Sequence, residues 1–282
     1  MNRLLAAGLL LVSACTRREP PPAPPPPAIG TSSPAAVDGF ERQAPPRPGE
    51  WLYCFPESGQ TFQQYAEDCG NRRSAECRVF AIQPFGDALE KYRETMDLMR
   101  EYAEVFFGLP AKVLDPVPMP EEAYHESRRQ HNATTITRWL SRRLPEDALV
   151  VIGVTSEDLY SRGLNFVFGE ASLQSRTGVY SLRRYQTPDA RLFRRRALKL
   201  MTHEAGHILS MDHCIYYKCV MQGANHLMED DGHPMHLCPV DLRKLEWNTG
   251  VDPEERYRKL RDFYRRAGLP AEADWVSRRV PN

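Results

Sequence analysis

Three of the chain's eight histidines fall in the stretch Thr202-His203-Glu204-Ala205-Gly206-His207-Ile208-Leu209-Ser210-Met211-Asp212-His213-Cys214. His203 and His207 stand at i and i+4, so a helix there projects both rings from one face, one turn apart. Glu204 sits beside the first of them. Two imidazoles and a glutamate in this H-E-x-x-H spacing hold a zinc ion and supply a general base. A catalytic zinc needs a third protein ligand and one open position. His213 is that ligand, provided the helix stops near Ser210 and the chain folds back. A helix, its end and a chain reversal are therefore required together. A rival scheme takes Glu229 as the third ligand, but it leaves His213 and the cysteines that follow it without a role.

The segment HEAGHILSMDHC, continued by IYYKCVM, QGANHL and HPMHLCPVDL, resembles the archaemetzincins, a branch of the metzincin metallopeptidases. The run LVVIGVTSEDLYSRGLNFVFGEAS resembles them too, and the likeness spans residues 80–250. The resemblance implies an α/β (α+β) fold: a metzincin-like zincin domain with a mixed twisted sheet, an active-site helix and a helical C-terminal part. It implies a catalytic zinc on His203, His207 and His213, with Glu204 as base and Met221 packed beneath the imidazoles. It also implies a second, structural zinc, held in the family by four cysteines. Cys214, Cys219 and Cys238 match three of these, and Asp241 stands at the fourth position. A carboxylate ligates zinc at about 2.0–2.2 Å, so Asp241 can complete the tetrahedron. In an oxidising compartment a Cys214–Cys219 disulfide competes with that site. Ser210 is another departure, because the family places glycine there. A left-handed backbone costs a non-glycine residue about 1–2 kcal/mol.

Residues 1–15, MNRLLAAGLLLVSAC, join a basic residue to an apolar core too short to cross a bilayer. The pattern is that of an export signal. Its ending, Val12-Ser13-Ala14-Cys15, resembles a bacterial lipobox, which makes Cys15 the acylated residue. A lipid-anchored cell-envelope protein is predicted, and Thr16 after the cysteine favours the outer membrane. Several acyl chains, at about 0.8 kcal/mol per buried CH2, anchor such a protein stably. Residues 16–49 hold eleven of the 24 prolines and are predicted to form a disordered, polyproline-like spacer. Residues 50–282 then make one metallopeptidase domain. A formal net charge of zero argues against a nucleic-acid partner. The expected partners are a peptide or protein substrate and, through lipidated Cys15, a membrane. Cys54, Cys69 and Cys77 predict one disulfide among the three, bracing the N-terminal extension.

Val79–Ile82 reads as a strand and Asp87–Phe107 as a helix with an apolar stripe through Leu89, Tyr92, Met96, Met99, Ala103 and Phe106. Lys112–Leu114 is a second strand and Gln130–Leu144 a second helix. The continuous apolar run Ala148–Thr155 suits a strand buried on both faces. Leu164–Phe168 and Gly178–Leu182 are two further strands. The resemblance makes the first of them the sheet edge above the cleft, where an extended peptide adds as a strand. Thr187 and Pro188 suit the cap and first position of the zinc helix, and Asp252–Val280 reads as packed helices. His226, His233 and His236 are read as solvated or hydrogen-bonded, not as ligands.

The chemistry expected from these residues is hydrolysis of a peptide bond by water that Glu204 deprotonates, without a covalent intermediate. Archaemetzincins are associated with aminopeptidase-like activity on short peptides, so the resemblance implies that mode. No acidic anchor for a free α-amino group is visible in the sequence. Two alternatives are a surface lipoprotein that binds zinc or peptide without turnover, and an envelope protein merely braced by metal. Retention of Glu204 argues against the first, and the open position among the three histidines against the second.

Overall fold

In the computed structural model, which describes residues 39–280, the first elements are helices α1 (Trp51–Cys54) and α2 (Phe62–Asp68), strand β1 (Val79–Pro84), and helices α3 (Ala88–Lys91) and α4 (Arg93–Phe107). Strands β2 (Ala111–Val113), β3 (Tyr124–His125) and β4 (Gln130–Asn132) follow, then helix α5 (Ala133–Ser141). Next come strands β5 (Ala148–Thr155), β6 (Leu159–Tyr160), β7 (Gly169–Ser172) and β8 (Thr177–Ser181). Helices α6 (Ala190–Ile208), α7 (Leu227–Gly232), α8 (Pro239–Thr249), α9 (Pro253–Arg266) and α10 (Pro270–Ser277) complete the chain.

Strand β5 centres the main sheet, and all eight of its residues are buried. It pairs in parallel with β1 on one side and β8 on the other. Beyond them lie β2, parallel to β1, and β7, antiparallel to β8, so the order is β2-β1-β5-β8-β7. Helices cover both faces, which is why the central strands are apolar throughout instead of alternating. Met96, Met99, Leu198 and Met201 of α4 and α6 join Ile82 and Ile152 in one core cluster. On the other face, Ile136 and Leu140 of α5 pack with Ala81 and Val151.

Several expectations need correction. The helix expected over 87–107 is two helices, parted at Tyr92, whose φ of −125° is not helical. Gln130–Asn132 is a strand paired with β6, and Asn132 caps α5 by accepting from the amide of Thr135. Leu164–Phe168 is not the edge strand, because the Leu164 and Asn165 carbonyls are taken by the side chains of Arg128 and Gln130. The edge is Gly169–Ser172. Helix α6 is capped by Asp189, whose carboxylate accepts from the amides of Arg191 and Leu192, while Thr187 accepts from Asp189 itself.

The folded body also starts earlier than Trp51. Arg42 bridges Tyr217, Gln43 N donates to Tyr216 O at 3.1 Å, and Phe40 packs edge-on to Trp275 at 5.4 Å. The signal-like segment, Cys15 and the proline run from Pro20 to Pro27 lie outside the described residues. Cys69 and Cys77 are free thiols, so no disulfide forms within the Cys54, Cys69, Cys77 trio. Cys69 instead donates to Ser210 Oγ at 3.5 Å, and Cys77 accepts from Arg176 at 2.9 Å. No helix among the described residues is long and apolar enough to cross a membrane.

Candidate metal centre

Helix α6 buries Leu198, Met201, Ala205 and Ile208 in the sheet core, and helical geometry then puts His203 and His207 on its opposite side. The helix ends in a Schellman arrangement. Ser210 N donates to His207 O at 2.9 Å and Met211 N to Gly206 O at 3.0 Å. Ser210 takes the left-handed conformation at φ 72°, so the reversal forms with serine in the glycine position. His213 returns to the helix, its ring centroid 5.3 Å from His203 and 4.8 Å from His207.

The Nε2 atoms of His203 and His207 are 3.1 Å apart, and one donor nitrogen from each of the three rings lies within 4.8 Å of the others. Each Nδ1 faces an acceptor that has no proton to give. His203 donates to Val220 O at 2.9 Å, His207 to Met211 O at 2.7 Å, and His213 to the Glu57 carboxylate at 2.8 and 3.1 Å. These acceptors fix the tautomer that leaves every Nε2 lone pair available. His213 Nε2 is buried and lacks a hydrogen-bond partner among the described residues, as suits an atom that meets an ion. Burial, helped by neighbouring His213, pulls the His203 pKa down to about 3, and burial takes His207 well below 6.5. Both rings are therefore neutral, as ligation requires.

Glu204 is 1% exposed, and its Oε2 has no hydrogen-bond partner among the described residues. Burial, with a smaller contribution from the Glu170 carboxylate, holds its pKa well above the ordinary glutamate range. The backbone of β7 passes over this carboxyl: a Cβ at Gly169 would lie 2.8 Å from Glu204 Oε1. Met221 packs against α6, where a Cβ at Gly206 would lie 2.3 Å from its Sδ. The ions expected at these sites have donors that fit them: three converging imidazoles here, and a thiol-rich set below.

Cys214, Cys219, Cys238 and Asp241 form that second group, all buried, with ligand atoms within 4.8 Å of one another. The Sγ atoms of Cys214 and Cys238 are 3.6 Å apart, and Asp241 Oδ2 accepts from Cys219 at 3.2 Å and Cys238 at 3.4 Å. Backbone N–H groups of Cys238 and Met221 point at Cys219 Sγ, and that of Asp241 at Cys238 Sγ. All three cysteines are free thiols, so the competing Cys214–Cys219 disulfide is absent. Burial raises the Asp241 pKa to about 6, against the opposing charge of Lys244. The Lys244 ammonium lies 2.8 Å from Asp241 Oδ1, with both side chains at most 2% exposed.

The structure thus gathers seven of the eight expected site residues into two groups, and the eighth, Glu204, follows His203 on α6. Glu229 is not a ligand, since its carboxylate accepts from Trp51 N at 2.9 and 3.1 Å and from Asn225 N at 2.7 Å. His226 caps α7, and His236 stacks on Trp275 at 3.6 Å. Glu57, Glu170 and Lys244 escaped the sequence reading. Only Lys244, at i+3 from Asp241, offered a local signal.

The profile of Peptidase family M54 matches residues 93–247, more than half of the chain. Archaemetzincin-2 of Mus musculus is 34% identical over 256 residues, covering 75% of this chain and 71% of its own length. Archaemetzincin of Archaeoglobus fulgidus is 36% identical over 153 residues, covering 54% of this chain and 92% of its own. The crystal structure of that protein, complexed with malonate, matches with a TM-score of 0.52 at 34% identity, over 59% of this chain and 99% of that one. The archaemetzincin structure from Methanopyrus kandleri matches with a TM-score of 0.57 at 31% identity, over 64% and 99%. On this evidence of sequence and fold, the chain belongs to Peptidase family M54, the archaemetzincins, which are zinc-dependent metallopeptidases.

Proposed function

We propose that His203, His207 and His213 hold the catalytic zinc, that Glu204 is the general base, and that short peptides are cleaved from their free amino end. The observation that carries this reading is the convergence of the three imidazoles, with Glu204 next to His203 on the same helix and its buried Oε2 without a hydrogen-bond partner among the described residues. Zinc, when bound, supplies a Lewis acid that polarises the scissile carbonyl and acidifies the attacking water. Glu204 Oε2 takes the proton from that water and delivers it to the leaving amine. Its buried setting favours the protonated form, which suits the second of these steps.

Strand β7 supports the substrate side of the reading. Among the described residues it pairs only with β8, so its outer N–H and C=O groups can pair with an extended peptide. Gly169 lets that backbone lie directly against Glu204. Glu170, half-buried on the same strand, accepts from Ser161 Oγ and is close enough to raise the Glu204 pKa. A carboxylate there suits a free α-amino group, which favours the aminopeptidase-like mode. For the second group we propose a structural zinc on Cys214, Cys219, Cys238 and Asp241. The lipobox-like residues before Cys15 support an exported, lipid-anchored form in the cell envelope.

A peptide-library digest tests the mode of cleavage. Release of single N-terminal residues, with N-acetylated peptides resistant, is expected, and internal cuts in acetylated peptides would exclude it. Membrane fractionation of the protein and of Cys15→Ser tests the anchor, which unchanged partitioning would refute.

A further inference from the structure

We infer that residues 51–71, which precede the part of the chain matched by the family profile, clamp the metal centre, and that Glu57 is a positioning residue for His213. The inference rests on His213 being a zinc ligand.

The last carbonyls of a helix have no intrahelical partner. At the end of α6 the N-terminal segment supplies them in order. Asn71 Nδ2 donates to Ile208 O at 3.0 Å, the Tyr65 hydroxyl to Leu209 O at 2.8 Å, and Gln60 Nε2 to Ser210 O at 3.0 Å. Gln60 Oε1 then accepts from Asp212 N at 3.2 Å, and Glu57 accepts from His213 Nδ1 at 2.8 Å. The two segments therefore run past each other, 71 to 57 against 208 to 213. This pairing holds the reversal that Ser210 makes in a strained conformation.

Glu57 is itself held. Trp51 Nε1 donates to Glu57 Oε1 at 2.8 Å, and the same indole stands edge-on to His213 at 5.2 Å. Trp51 is fixed in turn through its backbone amide to Glu229, which also accepts from Asn225 in the loop after Met221. Gly223 makes room for the indole, since a Cβ there would lie 2.5 Å from Trp51 Cδ1.

The three histidines are not supported alike. His203 and His207 are fixed by their helix and lean on neutral backbone carbonyls. His213 sits in a loop beyond the helix end, and it alone leans on a carboxylate. A carboxylate behind a ligating imidazole fixes the ring and strengthens its donor nitrogen, and its loss typically weakens metal binding about 10–100-fold.

The test uses the full chain, stripped of metal and titrated with zinc and with cobalt. Cobalt on imidazoles lacks the near-ultraviolet thiolate band, which separates this centre from the cysteine group. Glu57→Ala is expected to weaken metal binding at the histidine centre about 10–100-fold and to shift its visible cobalt bands. Glu57→Gln, which keeps an acceptor oxygen without the charge, is expected to fall between that variant and the native protein. Metal-free melting curves establish that each variant is folded, and Glu57→Gln carries the test alone if Glu57→Ala does not fold. Native affinity and an unchanged cobalt spectrum in the folded variants would overturn the inference. Native affinity in His213→Ala would instead overturn the ligand assignment beneath it.

Discussion

Gly206 lies inside α6, between His203 and His207, and replacing it by alanine sets two effects against each other. In an exposed helix interior Gly→Ala gains about 1 kcal/mol from propensity alone. Here the new methyl would lie 2.3 Å from Met221 Sδ and 2.7 Å from its Cε. Ordinary contacts between such atoms are about 3.5–4.0 Å, so the methionine must move by more than an ångström. It cannot move freely, because it is wholly buried and its backbone is tied to Cys214 and Cys219 on the cysteine group. Overpacking costs about 1–3 kcal/mol, and a displacement this large in a tied residue takes the upper part of that range, about 2–3 kcal/mol, so it outweighs the propensity gain. The expected net loss is about 1–2 kcal/mol, or a fall in Tm of about 2–8 °C in a domain of this size. Calorimetry of metal-loaded protein reads it directly. In a Met221→Ala background the clash is gone, and the same Gly206→Ala change should stabilise by about 1 kcal/mol. A Gly206→Ala protein as stable as the native one, or additive effects of the two changes, would refute the contact.

Ser210→Gly should relieve about 1–2 kcal/mol of left-handed strain and lose about 0.5–1 kcal/mol to added chain freedom. Urea denaturation should therefore show a gain of up to about 1.5 kcal/mol, and a clear loss of stability would contradict the strain. His236 has its pKa pulled down to about 3 by burial, so below 6.5 the unfolded chain binds a proton that the folded chain refuses. Stability of the metal-free protein should fall as pH drops from 6.5 towards 3, by up to about 1.4 kcal/mol per pH unit for each such histidine. His236→Phe keeps the stack on Trp275 and should flatten that slope, whereas an identical slope would speak against it. Asp241→Cys should tighten zinc at the second group in a chelator competition. It should also lower the metal-free Tm, because Lys244 is left buried without its charge partner. Looser zinc or an unchanged metal-free Tm would contradict the assignment.

The histidine group was legible because its logic is local. His203 and His207 meet through one turn of helix, and His213 follows within six residues. Strand β5 was legible because a strand covered on both faces must be apolar along its whole length. What escaped depends on contacts between distant residues. The carbonyls of Leu164 and Asn165 look free to join a sheet until Arg128 and Gln130, more than thirty residues earlier, take them. The true edge, Gly-Glu-Ala-Ser, has poor strand propensity and is a strand because β8 and Glu204 lie beside it. Cysteine parity could count a pair but not place it, since Cys69 is drawn to Ser210 instead. Glu57 stands 156 residues from His213, and no spacing rule joins them. At the helix start, Thr187 and Asp189 are both good caps, and the sequence alone could not choose between them.

The central claim separates holding the metal from moving the proton, and one paired measurement on Glu204→Gln tests it. Zinc content at the histidine centre and peptide turnover are read on the same preparation. Glu204 is not one of the three grouped donors, so the variant should keep its zinc and lose hydrolysis. Native turnover, or loss of zinc along with activity, would contradict the account.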